Sequence, residues 1–83
     1  MVLVMMVEER VKKIVANIFE TEYVRITRDT RFLEDLFAKS INIIQMVAMI
    51  EDEFDIEIDD VEARKNKTVG QTIDYVERLL NQK

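Results

Sequence analysis

The chain contains no cysteine and no histidine. Without cysteine there is no disulfide staple, no thiolate nucleophile and no thiolate metal ligand. Without histidine, the commonest general base at neutral pH and the commonest metal ligand are both missing. Self-contained catalysis is therefore not expected, and the chain reads as a non-enzyme. Proline is also absent and glycine occurs once, at Gly70, so nothing resembles an interdomain linker. Residues 1–83 are read as a single domain. A chain this short buries roughly 60–70% of the surface its unfolded form exposes. Its 48% hydrophobic content is enough for a core without crosslinks.

Long apolar runs are scarce too. Met1 to Val7 is apolar but much too short to span a bilayer. It lacks the basic start and small-residue cleavage site of a signal peptide. It reads as a frayed leader over residues 1–6 or as an added first turn of helix. No membrane insertion and a cytoplasmic location are expected.

Positive charge is missing from one region. Residues 34–62 hold ten acids against the single base Lys39, a local −9 in a chain of net charge −5. Such a face repels nucleic acid and anionic lipid and steers basic surfaces toward it. The closest approach to a metal motif is Asp55, Glu57, Asp59 and Asp60. It lacks the glycine and the final glutamate of an EF-hand loop, so no dedicated metal site is expected.

Periodicity supplies the elements. Val11, Ile14, Val15, Ile18 and Phe19 recur at helical spacing and predict a first helix from about Glu8 to Phe19. A long connection follows, about Glu20 to Lys39, with Phe32, Leu33 and Leu36 as its expected pins and no strands. Its length predicts that the first two helices run roughly parallel. The second helix is predicted over Ser40 to Phe54. Ile43, Met46, Val47, Ile50 and Phe54 form its core set. Ile41, Ile44 and Ala48 form a second apolar set displaced around the helix, expected as an exposed partner surface. A short helix at about Asp60 to Lys65 comes next. Thr68 with Gln71 makes a capping box for the last helix, which buries Val69, Ile73, Val76, Leu79 and Leu80. Three main helices and one short one predict an all-α four-helix bundle.

Ser40 opens the second helix, where a serine ordinarily caps a free backbone N–H. The surrounding block suggests more. The stretches EERVKKIV, TRFLEDLFAKSINIIQMVAMIEDEFDIEID and DDVEARKNKTVGQTIDYV together resemble the acyl carrier protein family over nearly the whole chain. The triplet Lys39-Ser40-Ile41 stands at the family's Asp-Ser-Leu attachment motif. The resemblance implies a four-helix bundle in which Ser40 receives 4′-phosphopantetheine from coenzyme A. An acyl group would then ride on the arm's thiol as a thioester. Implied partners are a phosphopantetheinyl transferase and acyl-loading, synthase and acyltransferase enzymes with basic surfaces; a monomer is expected. Lys39, Ile41, Ile44, Gln45, Ala48, Glu51 and Asp52 form the expected partner face, and Met46, Met49 and Ile50 are candidates to line an acyl pocket.

The chain departs from the family at several points. Lys39 stands where the family has Asp, Asn42 where Asp is usual, and Gln45 where an acid is common. Phe37 replaces a glycine beside the serine, and Asn66 replaces an apolar core residue after the third helix. These departures point to a specialised carrier for an unusual fatty acid, lipid or secondary metabolite. An aminoacyl or D-alanyl carrier would use the same fold and the same Ser40. An unmodified carrier-like scaffold would need no arm at all.

Overall fold

The computed structural model describes residues 2–82, with side chains from Met6 onward. Helices span Val2–Ile18 (α1), Ser40–Phe54 (α2), Asp60–Lys65 (α3) and Val69–Asn81 (α4), with a 3-10 turn at Tyr23–Arg25. The all-α expectation holds. No strand occurs among the described residues, and a lone antiparallel bridge joins Arg31 to Thr68. The predicted bounds of α2 and α3 match, but α1 starts at Val2 rather than near Glu8. Val7 belongs to the core, at 2% exposure. Of the leader expected over residues 1–6, Met1 and the side chains of 2–5 lie outside the described residues.

The core forms where α2 and α4 pack against α1. Val11, Val15, Ile50, Ile73 and Val76 are fully buried there. The predicted box starts α4: Thr68 Oγ1 accepts from Gln71 N at 3.1 Å, and Gln71 Oε1 accepts from Thr68 N at 3.2 Å. Two free N–H groups are satisfied by this exchange.

The parallel arrangement expected for α1 and α2 is wrong. Arg10, midway along α1, pairs with Glu53 and lays its guanidinium over the Phe54 ring, both at the end of α2, while Met49 one turn earlier in α2 lies beside Ile14 and Asn17 further along α1. Phe19, just past α1, meets Phe32, ahead of α2, with ring centroids 6.4 Å apart. The two helices are therefore antiparallel. The connection doubles back instead of traversing the bundle once. It runs out to Arg28, which bonds Glu8 of α1 at 3.1 Å and Asp74 of α4 at 2.6 Å. It then returns along the segment before α4, where Phe32 N donates to Lys67 O and Val69 N to Thr30 O.

Only some of the expected pins hold this connection. Phe32 is buried and Leu36 half-buried, but Leu33 is 69% exposed. The turn closed by Asp35 N and Leu36 N on Arg31 O sends Leu33 outward. Gly70 provides a further tie, since its N–H donates to Arg28 O at 2.8 Å. A Cβ on residue 70 would lie 2.9 Å from that same backbone oxygen. Gly70→Ala should therefore lose stability. Overpacking costs about 1–3 kcal/mol, against less than roughly 1 kcal/mol of helix propensity gained in a first turn. The denaturation midpoint reads the difference.

The same corner holds an unfavourable group. Glu77 is half-buried, and its Oε2 is fully enclosed with no hydrogen-bond partner among the described residues. Burial pushes its carboxyl above the usual range, and the negative Asp74 adds to the shift. A carboxyl raised in the folded state penalises folding increasingly as pH climbs from the unfolded to the folded pKa, and in full above the latter. The penalty vanishes below about pH 4.5, where the unfolded group is also protonated. Glu77→Gln should raise the melting temperature at pH 7 by a few degrees, with the gain shrinking as pH falls toward 4.5. Melting curves across that pH range test the sign.

Candidate site at the start of helix α2

Ser40 is not the cap of α2. The N-cap is Lys39, with extended dihedrals of φ −104° and ψ 165°, and Ser40 is the first helical residue. A lysine side chain has only donors, so it cannot accept a free helix N–H. One half of a capping exchange survives: Asn42 Oδ1 accepts from Lys39 N at 2.9 Å. The Ser40 hydroxyl makes no hydrogen bond among the described residues, and the side chain is exposed. No acid occupies the first turn of α2. This helix end therefore offers uncapped N–H groups and an uncompensated positive dipole, with a free hydroxyl at its first position. An anion attached there is favoured.

A gain should follow from restoring an acceptor at the cap. Lys39→Asp supplies the missing side-chain bond and removes a cation from the positive end of the dipole. We expect stabilisation of about 1 kcal/mol, read from the chemical denaturation midpoint of the unmodified protein. Phe37 is strained by its backbone as well. Its φ of 53° lies in the left-handed region, which costs a non-glycine residue roughly 1–2 kcal/mol. Its ring is 79% exposed. This position is one where the family resemblance expects glycine, and the backbone retains the conformation glycine favours.

A cavity of about 550 Å³ opens beside the serine. Its wall combines Phe32, Ala38, Ser40, Ile43 and Met46 with Ala63 and Asn66 from across the groove. α3 lies on the far side and buries none of its own residues. Its N-terminal end is anchored: Asp59 N donates to the Tyr75 hydroxyl at 3.3 Å, and Asp59 caps Val61 and Glu62. A second hollow of about 370 Å³ continues the groove between α2 and α3, sharing Ile43, Ile44, Ala63 and Arg64 with the first.

The three residues expected to line one pocket do not meet. Met46 lines the large cavity. Met49 faces the other way and lines a hollow of about 190 Å³ with Arg10, Lys13, Ile14 and Asn17 of α1. Ile50 is 1% exposed in the main core. Phe32, Ala38 and Ala63 were not anticipated as cavity walls. They stand on the loop and on α3, where the periodicity of α2 says nothing about them. Asn66 alone carried a signal, as a polar residue in an apolar register.

The expected partner face is largely on the surface. Lys39, Ile41, Ile44, Gln45, Ala48 and Asp52 are exposed, and the apolar set Ile41, Ile44, Ala48 shares one face as its spacing predicted. Glu51 differs. It is half-buried, and its Oε2 accepts from Ile58 N at 2.9 Å, fixing the turn into α3. Among the described residues no three carboxylates gather into a metal-binding group, and no helix is long and apolar enough to cross a membrane.

Comparison with known proteins agrees with this geometry. A family model described as "Phosphopantetheine attachment site" matches residues 9–76. The acyl carrier protein of Buchnera aphidicola subsp. Schizaphis graminum (strain Sg) is 43% identical over 70 residues. That match spans 84% of this chain and 89% of the relative. The acyl carrier protein of Buchnera aphidicola subsp. Acyrthosiphon pisum (strain Tuc7) is 39% identical over 72 residues. It spans 87% of this chain and 90% of the relative. A solved structure of acyl carrier protein from Enterococcus faecalis superposes with a TM-score of 0.78 at 37% identity. It covers 92% of this chain and 96% of that one. The family match spans most of the chain, and the relatives align along most of both lengths with the same helical fold. The chain thus belongs to the acyl carrier protein family, carriers that work through a covalent 4′-phosphopantetheine arm.

Proposed function

We propose that Ser40 is the attachment point of that arm, and that the protein serves a pathway outside housekeeping fatty-acid synthesis. The observation that carries the assignment is the Ser40 hydroxyl. It is exposed, has no bonding partner among the described residues, and stands at the first position of a helix whose N-terminus lacks both a side-chain cap and an acid. In loading, Ser40 Oγ attacks the β-phosphorus of coenzyme A and forms a new P–O bond. The pyrophosphate P–O bond breaks and the adenosine bisphosphate half leaves. The hydroxyl proton passes to a base on the transferase. The new phosphodiester then lies at the positive end of α2, and Lys39 beside it offsets its charge.

The arm supplies the thiol that holds cargo as a thioester. The chain supplies the anchor, a tether that raises effective concentration at partner active sites, and a cavity beside the anchor. It is a carrier and not an enzyme, working in the cytoplasm with a phosphopantetheinyl transferase and with loading, synthase and acyltransferase enzymes. Basic partner surfaces suit the acidic second half of α2, whereas Lys39, Asn42 and Gln45 leave the first half without acids. That asymmetry, with the strained and exposed Phe37, supports a specialised role. Incubation with coenzyme A and a broad-range transferase tests the assignment. The expected result is an intact mass raised by one phosphopantetheinyl group. An unchanged mass, with a known carrier fully converted alongside, sinks it.

A further inference from the structure

The cavity beside Ser40 is not a plain apolar slot. Asn66 is half-buried in its wall, and its side-chain amide makes no hydrogen bond among the described residues. Only its backbone N–H is bonded, to Ala63 O at 3.2 Å. The amide is not enclosed, so water serves it while the cavity is open, and a cargo that displaces that water must replace its hydrogen bond or lose affinity. The wall also includes the cations Lys39, Arg64 and Lys67, against Glu34 as its acid. None of the three takes part in an ion pair among the described residues, though Arg10, Lys12, Lys13, Arg28, Arg31 and Lys65 all do. The floor remains apolar through Phe32, Ala38, Ile43, Met46 and Ala63. A volume of about 550 Å³ is enough for a small organic ligand.

We propose that Asn66 is a specificity-determining residue of this cavity, selecting an acyl cargo that bears an oxygen substituent over a plain saturated chain. The inference rests on the assignment of the arm to Ser40, because the tether is what delivers cargo to this cavity. The substituent, a β-hydroxyl or β-oxo oxygen, bonds the Asn66 amide. The alkyl part lies on the apolar floor. The cations balance the phosphodiester and leave the cavity favourable to electron-rich oxygen.

The test loads the full chain from octanoyl-coenzyme A, β-hydroxyoctanoyl-coenzyme A and coenzyme A itself, using a broad-range transferase. Intact mass first establishes loading. Thioester cleavage by hydroxylamine is then timed, each rate divided by that of the same thioester on free pantetheine. One net hydrogen bond is worth about 1 kcal/mol, or about fivefold. The β-hydroxyoctanoyl form should be protected about fivefold more than the octanoyl form. Asn66→Leu should abolish or invert that ratio, and Asn66→Ser, smaller but still polar, should keep part of it. Equal or better protection of octanoyl in the wild type overturns the inference and leaves the Ser40 assignment standing. A third arm follows the melting temperature of the coenzyme A-loaded form against the unmodified protein. If Asn66→Leu removes a stabilisation already present there, the amide serves the arm and the inference fails. If no mass change occurs at Ser40, both readings fall together.

Discussion

Ser40→Ala will abolish loading completely while leaving the fold intact. The two halves of this expectation come from the same geometry. Loading needs an oxygen nucleophile, and alanine has none, so no phosphopantetheinyl mass should appear at any transferase concentration. Stability should hardly change, because the Ser40 side chain is exposed and caps nothing. A change of that kind lies within about 0.5 kcal/mol. Had Ser40 been the N-cap, its removal would have cost typically about 1 kcal/mol. Intact mass and a denaturation curve on one preparation decide both points. Residual loading of the variant would show that another hydroxyl accepts the arm.

Ile50→Ala should be the most damaging of the α2 substitutions. Ile50 is 1% exposed in the core that α2 and α4 form against α1. Truncating a buried isoleucine typically costs about 2–5 kcal/mol, because it loses transfer energy and leaves a hole. Small domains hold only about 5–15 kcal/mol in total. A fall of about 10 °C or more in melting temperature is expected. The same truncation at a wall open to a cargo pocket would cost far less, since solvent or cargo can fill the space. A variant that melts like the wild type would therefore return Ile50 to the pocket.

Much of the fold was legible in the sequence. The bounds of α2 follow from apolar spacing, and the start of α4 follows from Thr68 and Gln71, whose exchange of bonds forms as written. Local chemistry decides such features, so a sequence displays them. The relative direction of α1 and α2 was not legible. Connection length sets only how far a chain can reach, and Arg28 turns it back through bonds to Glu8 and Asp74, which lie far apart in sequence. Leu33 escaped the core because a tight turn on the Arg31 carbonyl inverted its direction.

The site was half legible. Ser40 could be singled out by its place before an amphipathic helix. Its freedom from capping depended on the backbone of Lys39, which only the structure shows. The cavity could not be read from α2 alone. Met46, Met49 and Ile50 lie within little more than one helical turn, yet one meets the α3 groove, one meets α1 and one is buried among helices. Packing partners distant in sequence sort them. Asn66 was visible as a polar exception, and its position in the cavity wall gives that exception a chemical meaning.

The central claim is that this chain works through an arm on Ser40. Tandem mass spectrometry of the protein purified from its native source tests it most directly. The account predicts a peptide carrying phosphopantetheine on Ser40. A native protein that is active in its cell yet wholly unmodified at Ser40 would contradict it.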